Sequence, residues 1–220
     1  MENQFETGIE SLRQKLLLMA SHVETSVHQA VLSLTERDHD LALKVKADDD
    51  IIDRFEIEID EQAIQLLTKA PLATSLRLVT VAMKISQNLE RVGDEGTKIA
   101  KRARDLSQEP PVKIKLDLPR MAELALGMVK DALDAFVNND SIAARAIIPR
   151  DKEVDALNKH IHAVLTQHMI ENPDTIARCL HWIVATKSLE RIADHAKNIA
   201  EEVVYLCEAQ DIRHAAAQAA

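Results

Sequence analysis

The chain carries one of its segments twice. LERVGDEGTKIA spans 89–100 and LERIADHAKNIA spans 189–200, with Leu, Glu, Arg, Asp, Ile and Ala at identical places. The match widens upstream. Shifted by 102 positions, residues 19–71 align with the second half without a gap. Met19/Met121, Ala20/Ala122, Val27/Val129, Ala30/Ala132, Asp38/Asp140, Ala42/Ala144, Asp49/Asp151, Asp53/Asp155, Ile59/Ile161, Gln65/Gln167 and Pro71/Pro173 are identical pairs. Two positions then drop out, so the offset is 100 at the LER segments. A period this long does not fit a solenoid of short repeats; it predicts two copies of one small domain.

Each copy reads as three helices. Leu12, Leu16, Met19, Val23, Val27, Ala30, Val31 and Leu34 recur at helical spacing and predict a first helix over 6–37. Asp38 or Asp40 is suited to cap a second, running to Lys69. Pro71 suits the first turn of a third, which continues to Leu106, because the missing proline N–H has no helical partner there. The second unit repeats the plan over 119–138, 140–171 and 173–209. SQEPPVKIKLDLP, residues 107–119, breaks the periodicity and joins the units. The domains are therefore 1–108 and 119–220, with a linker at 109–118 and a fraying tail HAAAQAA. Only 4 Gly and 2% aromatic residues accompany 46% hydrophobic ones. Such a core is built from Leu, Ile, Val and Ala, which suits long helices better than a β-sandwich. Pro149, where the first unit has Ala47, should kink or break the fifth helix just before Asp151.

The repeated acids need a separate reason. Glu90 and Asp94 lie about 40° apart around a helix, on the flank of the stripe Leu89, Val92, Gly96, Ile99 and Ala103. Asp49 and Asp53 flank Ile52, Phe55, Ile59 and Leu66 in the same way. The second unit repeats both pairs as Asp151/Asp155 and Glu190/Asp194. Like charges at i, i+4 weaken a helix by a few tenths of a kcal/mol. Two readings stand: solvated faces balanced by Arg91 and Arg191, or carboxylates that grip a hard cation from adjacent helices. Iron, manganese, magnesium, calcium and zinc all suit such oxygen ligands.

Several classes fall away. A net charge of −9 gains nothing from counterion release on DNA, so nucleic acid is a poor partner. Cys179 and Cys207 form no CxxC or zinc pattern, which fits a reduced cytosolic protein. No signal-peptide pattern and no stretch of ~18 apolar residues occurs, so membrane contact would be peripheral. A ferritin-like di-iron enzyme needs two inward E-x-x-H motifs, whereas Glu36–His39 occurs once, at a helix end. No HExxH, P-loop, GxSxG or dinucleotide fingerprint is present. His160/His162 and His22/His28 read as surface or flank residues, and Cys207 as packing.

At the doubled LER segments and the preceding D-x-x-x-D helices, the sequence resembles the PhoU family of bacterial phosphate-uptake regulators. FETGIESLRQKLLLM near the start and QDIRH at 210–214 extend the resemblance over nearly the whole chain. It implies an all-α fold of two tandem three-helix bundles, six antiparallel helices in total. It implies metal clusters at Asp49, Asp53, Glu90 and Asp94, and at Asp151, Asp155, Glu190, Asp194 and Asn198. Iron, zinc, magnesium or manganese would be the ion. Lys98 and Glu95 replace the Asn and His of the second copy, Asn198 and His195, so the first cluster departs from the pattern and the second is expected to be the better one. Ala193 replaces a glycine of the family pattern. The resemblance further implies a non-enzymatic, cytoplasmic regulator, a homodimer, that keeps the phosphate-starvation response off. Its partners would be the phosphate ABC transporter and a sensor histidine kinase, which bring it to the membrane. The rival reading is a metal-binding or structural helical protein without a phosphate role.

Overall fold

The structure is a computed structural model and describes residues 2–69 and 72–213. Pro71 and the tail from His214 onward lie outside the described residues. Six helical arms make up two bundles: α1 (Glu2–Glu36), α2 (His39–Leu67) and α3 (Ala73–Ser107), then α4 (Leu118–Asn138), an interrupted fifth arm, and a long sixth. The fifth arm is α5 (Ser141–Ile147), a 3₁₀ turn Ile148–Arg150, and α6 (Asp151–Glu171). Pro149 sits in that turn, so the helix breaks where proline removes a hydrogen bond. The sixth arm opens with a 3₁₀ turn Pro173–Thr175 and continues as α7 (Ile176–Glu208).

The duplication governs local detail. Asp38 Oδ1 accepts from Leu41 N at 2.9 Å to cap α2, and Asp140 Oδ1 accepts from Ala143 N at 2.9 Å to cap α5. Before each cap stands a left-handed residue, Arg37 (φ 62°) and Asn139 (φ 51°). The turn closes identically in both copies, Asp38 N to Ser33 O and Asp140 N to Ala135 O, each 2.9 Å. This is the helix ending that spends orphan carbonyls on a reversal of the chain.

Every residue of the predicted α1 stripe is buried, as are Leu89, Val92, Gly96, Ile99 and Ala103 of α3. Each fully buried Leu, Ile or Val stabilises the fold by about 1.5–3 kcal/mol. The extended segment between α3 and α4 is held rather than free: Arg37 donates to the carbonyls of Ser107 and Glu109, and Arg178 Nη1 donates to Pro110 O at 3.0 Å. Val112, Ile114 and Leu116 pack on the core.

The bundles meet through their third helices. Lys84 Nζ pairs with Glu202 Oε2 at 3.0 Å, Asn88 Oδ1 with His195 Nδ1 at 3.1 Å, and Glu95 Oε1 with Arg191 Nη1 at 3.5 Å. Partner numbers fall along α7 as they rise along α3, so the two helices run antiparallel.

Candidate metal centre

The two acid pairs of each unit lie within electrostatic reach of one another, although they are about forty residues apart in sequence. In the first bundle, α2 supplies Asp49 and Asp53 and α3 supplies Glu90 and Asp94. Burial, then the charges of Asp53, Asp94 and Asp50, push the Asp49 carboxyl up from 3.8 to about 6. Glu90 is also raised, by burial and by Asp94, Glu56 and Asp53, against the opposing pull of Arg91. Glu56, not among the expected ligands, is raised by burial and by Asp60 and Asp53. It stands three residues after Asp53 and so extends the same face; that i, i+3 spacing was the available signal.

In the second bundle, burial raises Asp194 first, then Asp151, Glu190 and Asp155 raise it further, while Lys197 lowers it. Asp151 opens α6 straight after the 3₁₀ turn and is only 8% exposed, unlike the half-exposed flank position expected from Asp49. Lys197 Nζ lies 3.4 Å from its Oδ2. Its Oδ1 is buried without a hydrogen-bond partner, as is Oδ1 of Asn158, the counterpart of Glu56. Glu190 pairs with Lys187. Asn198 is exposed one turn beyond Asp194 and makes no hydrogen bond to the cluster.

The other positions where the copies differ belong elsewhere. Glu95 is 4% exposed, and its Oε1 accepts from Lys98 Nζ at 2.9 Å. His195 turns to Asn88; burial, then the Arg91 charge, holds its ring below the usual imidazole range. Glu95 and His195 therefore serve the seam between bundles, and the Glu95 difference does not remove a member of the first acid cluster. Nor does the second cluster gain from His195. The single copy of E-x-x-H is split by a turn, Glu36 ending α1 and His39 opening α2. His22, His28 and His160 are exposed, and His162 Nε2 lies 3.0 Å from Thr186 Oγ1. Cys207 is exposed rather than packed; Cys179 is the buried cysteine. Burial, with Glu208 and Asp140 nearby, raises the Cys207 thiol, the opposite of an activated nucleophile.

Among the described residues, no three His, Cys, Asp or Glu side chains are drawn close enough to enclose an ion. What the fold supplies is a hard-oxygen donor set from two helices, crowded enough to raise its own proton affinities, with orphaned buried oxygens in the second copy. Exposed Asp53 and Asp94 are free to change rotamer. These features fit a hard cation.

Fold and surface together define a class: duplicated three-helix bundles, packed third helix to third helix, with paired carboxylates at equivalent places. The PhoU domain model matches residues 16–103 and 118–203. The phosphate-specific transport system accessory protein PhoU homolog of Pseudomonas putida is 39% identical over 216 residues, covering 97% of this chain and 84% of that protein. The Escherichia coli K12 accessory protein PhoU is 33% identical over 215 residues, covering 97% and 89%. The crystal structure of PhoU from Pseudomonas aeruginosa matches with a TM-score of 0.89 at 38% identity, over 94% of this chain and all of that one. The Streptococcus pneumoniae phosphate transport system regulatory protein PhoU matches at 0.84 and 27%, over 94% and 99%. The chain belongs to the PhoU family, whose members are accessory and regulatory proteins rather than enzymes.

Proposed function

We propose that this protein is a negative regulator of the phosphate-starvation response and of phosphate uptake. In this reading it is a cytoplasmic adaptor between the phosphate ABC transporter and a sensor histidine kinase. The observation that carries the reading is end-to-end similarity to proteins named as accessory components of the phosphate-specific transport system. No helix among the described residues is long and apolar enough to cross a membrane, so contact with either machine would be by docking. Exposed apolar side chains on α2 (Ile57, Ile64) and α7 (Ile176, Leu180) support protein contacts, including the homodimer that belongs to this reading.

Divalent or trivalent cations, iron, zinc, magnesium or manganese, are the proposed ligands of the acid clusters. Asp49, Asp53, Glu90 and Asp94, joined by Glu56, would hold the first; Asp151, Asp155, Glu190 and Asp194, with Asn198 one turn further on, the second. The cation would neutralise like charges and tie the second helix of each bundle to its third. Deleting the gene and following a phosphate-starvation reporter in high phosphate tests the regulatory role. Constitutive expression, restored to silence by the wild-type gene, is expected. A reporter that stays silent in the deletion strain would sink the role.

A further inference from the structure

Beside the first acid cluster, between α2 and α3, lies a cleft of about 490 Å³. Lys46, Lys98, Lys101 and Arg104 line it, along with Asp49 and Asp50. Two of the bases are already partnered: Lys98 by Glu95 at 2.9 Å, and Arg104 Nη2 by Asp105 Oδ1 at 3.1 Å. Lys46 and Lys101 are exposed, and neither forms an ion pair among the described residues. Lys98, Lys101 and Arg104 follow one another at i, i+3 spacing on α3, where like charges repel.

The repeat supplies an internal control. The corresponding positions of the second unit are Ile148, Asn198, Glu201 and Val204. None is basic, yet the second bundle folds on the same plan with the same Leu, Ile and Ala core positions, such as Leu89/Leu189, Ile99/Ile199 and Ala100/Ala200. The bases are therefore not needed for the fold. Grouped in a concave surface, they focus positive potential on whatever enters. Ammonium groups serve phosphate oxygens as point charges. An anion alone would meet the Asp49 and Asp50 carboxylates at one wall; a divalent cation on Asp49 reverses the sign of the contact there.

We propose that this cleft binds a small phosphate-bearing anion, held by Lys46 and Lys101 together with a divalent cation on Asp49. The proposal deepens the cation reading given above and rests on it. Free phosphate and the phosphate chain of a nucleotide share the required chemistry. Chelator-treated full-length protein is titrated calorimetrically with inorganic phosphate and, separately, with ATP, each with and without magnesium. Saturable binding to one of them in magnesium is expected, and which one binds separates the two sources. The Lys46→Glu/Lys101→Glu variant should lose about tenfold in affinity per lysine, while Lys46→Ala/Lys101→Ala loses less and melts like wild type. Asp49→Asn should bind the anion better than wild type when magnesium is absent. No binding of either anion, or binding unchanged by the lysine substitutions, overturns the proposal. Cation uptake is read in a separate anion-free titration, so its failure counts against the cation reading rather than the basic cleft.

Discussion

Lys197 Nζ stands 3.4 Å from Asp151 Oδ2, and the first bundle has Thr97 at the corresponding place. The second acid cluster thus carries a cation of its own, while the first has none there, and Asp49 is pushed up to about 6. The two sites are unequal because Lys197 and Lys187 stand beside the acids of the second, where the first has Thr97 and Gln87. On these charges the first cluster is the one we expect to bind a cation more strongly, although Asn198 and His195 pointed to the second.

Replacing Lys197 by Thr should therefore strengthen cation binding at the second cluster. A part-exposed charge pair is worth about 1 kcal/mol, so the gain is about fivefold in affinity. Thr97→Lys should weaken the first cluster by a similar factor. Titration of chelated protein with manganese, followed by calorimetry, reads both.

Stability without metal should carry the signature of Asp49 in its pH dependence. Its folded value, about 6, exceeds the unfolded 3.8, so the folded state binds the proton more tightly. The contribution is fully present below 3.8 and is lost as pH rises through about 6. Asp49→Asn should flatten the fall in melting temperature across that window relative to wild type. Added manganese should raise the wild-type melting temperature more at pH 7 than at pH 5, because protons compete for the same oxygens. Scanning calorimetry at stepped pH checks both.

Gly93 and Ile52 form a matched pair. A Cβ at position 93 would meet Ile52 Cδ1 at 2.9 Å and Cγ2 at 3.3 Å, and Ile52 is buried. The second unit has Ala193 with Val154 at the corresponding positions, one methyl gained on one helix and one lost on the other. Gly93→Ala should cost about 1–2 kcal/mol through overpacking, despite the better helix propensity of alanine. Adding Ile52→Val should recover most of it. A double-mutant cycle in urea should show coupling of about 1 kcal/mol.

Ala209 ends α7 with φ 57°, a left-handed conformation that disfavours a Cβ by about 1 kcal/mol or more. Ala209→Gly should raise the melting temperature by about 2–4 °C for a chain of this size.

The parts of the fold set by periodicity could be read from sequence. The α1 stripe, the Asp38 and Asp140 caps and the break at Pro149 each depend on residues within a turn or two of one another. The acid pairs were also visible, because duplication and i, i+4 spacing put them on one face. The seam was not visible. Nothing local says that Glu95 and His195 face the other bundle, since α3 is buried on two sides, by α1 and α2 and by α7. Glu56 was legible as the i, i+3 continuation of Asp53, whereas the pairing of Lys197 with Asp151 depends on the packing of α7 against α6.

The account turns on whether the acids hold a cation. The direct measurement is elemental analysis of protein stripped with chelator, dialysed against manganese and washed, compared with Asp49→Asn/Asp94→Asn and with Asp151→Asn/Asp194→Asn. Retention of manganese by the wild type, reduced in each variant and more in the first, is the result expected. Equal metal content in all three proteins, or none in the wild type, would contradict it.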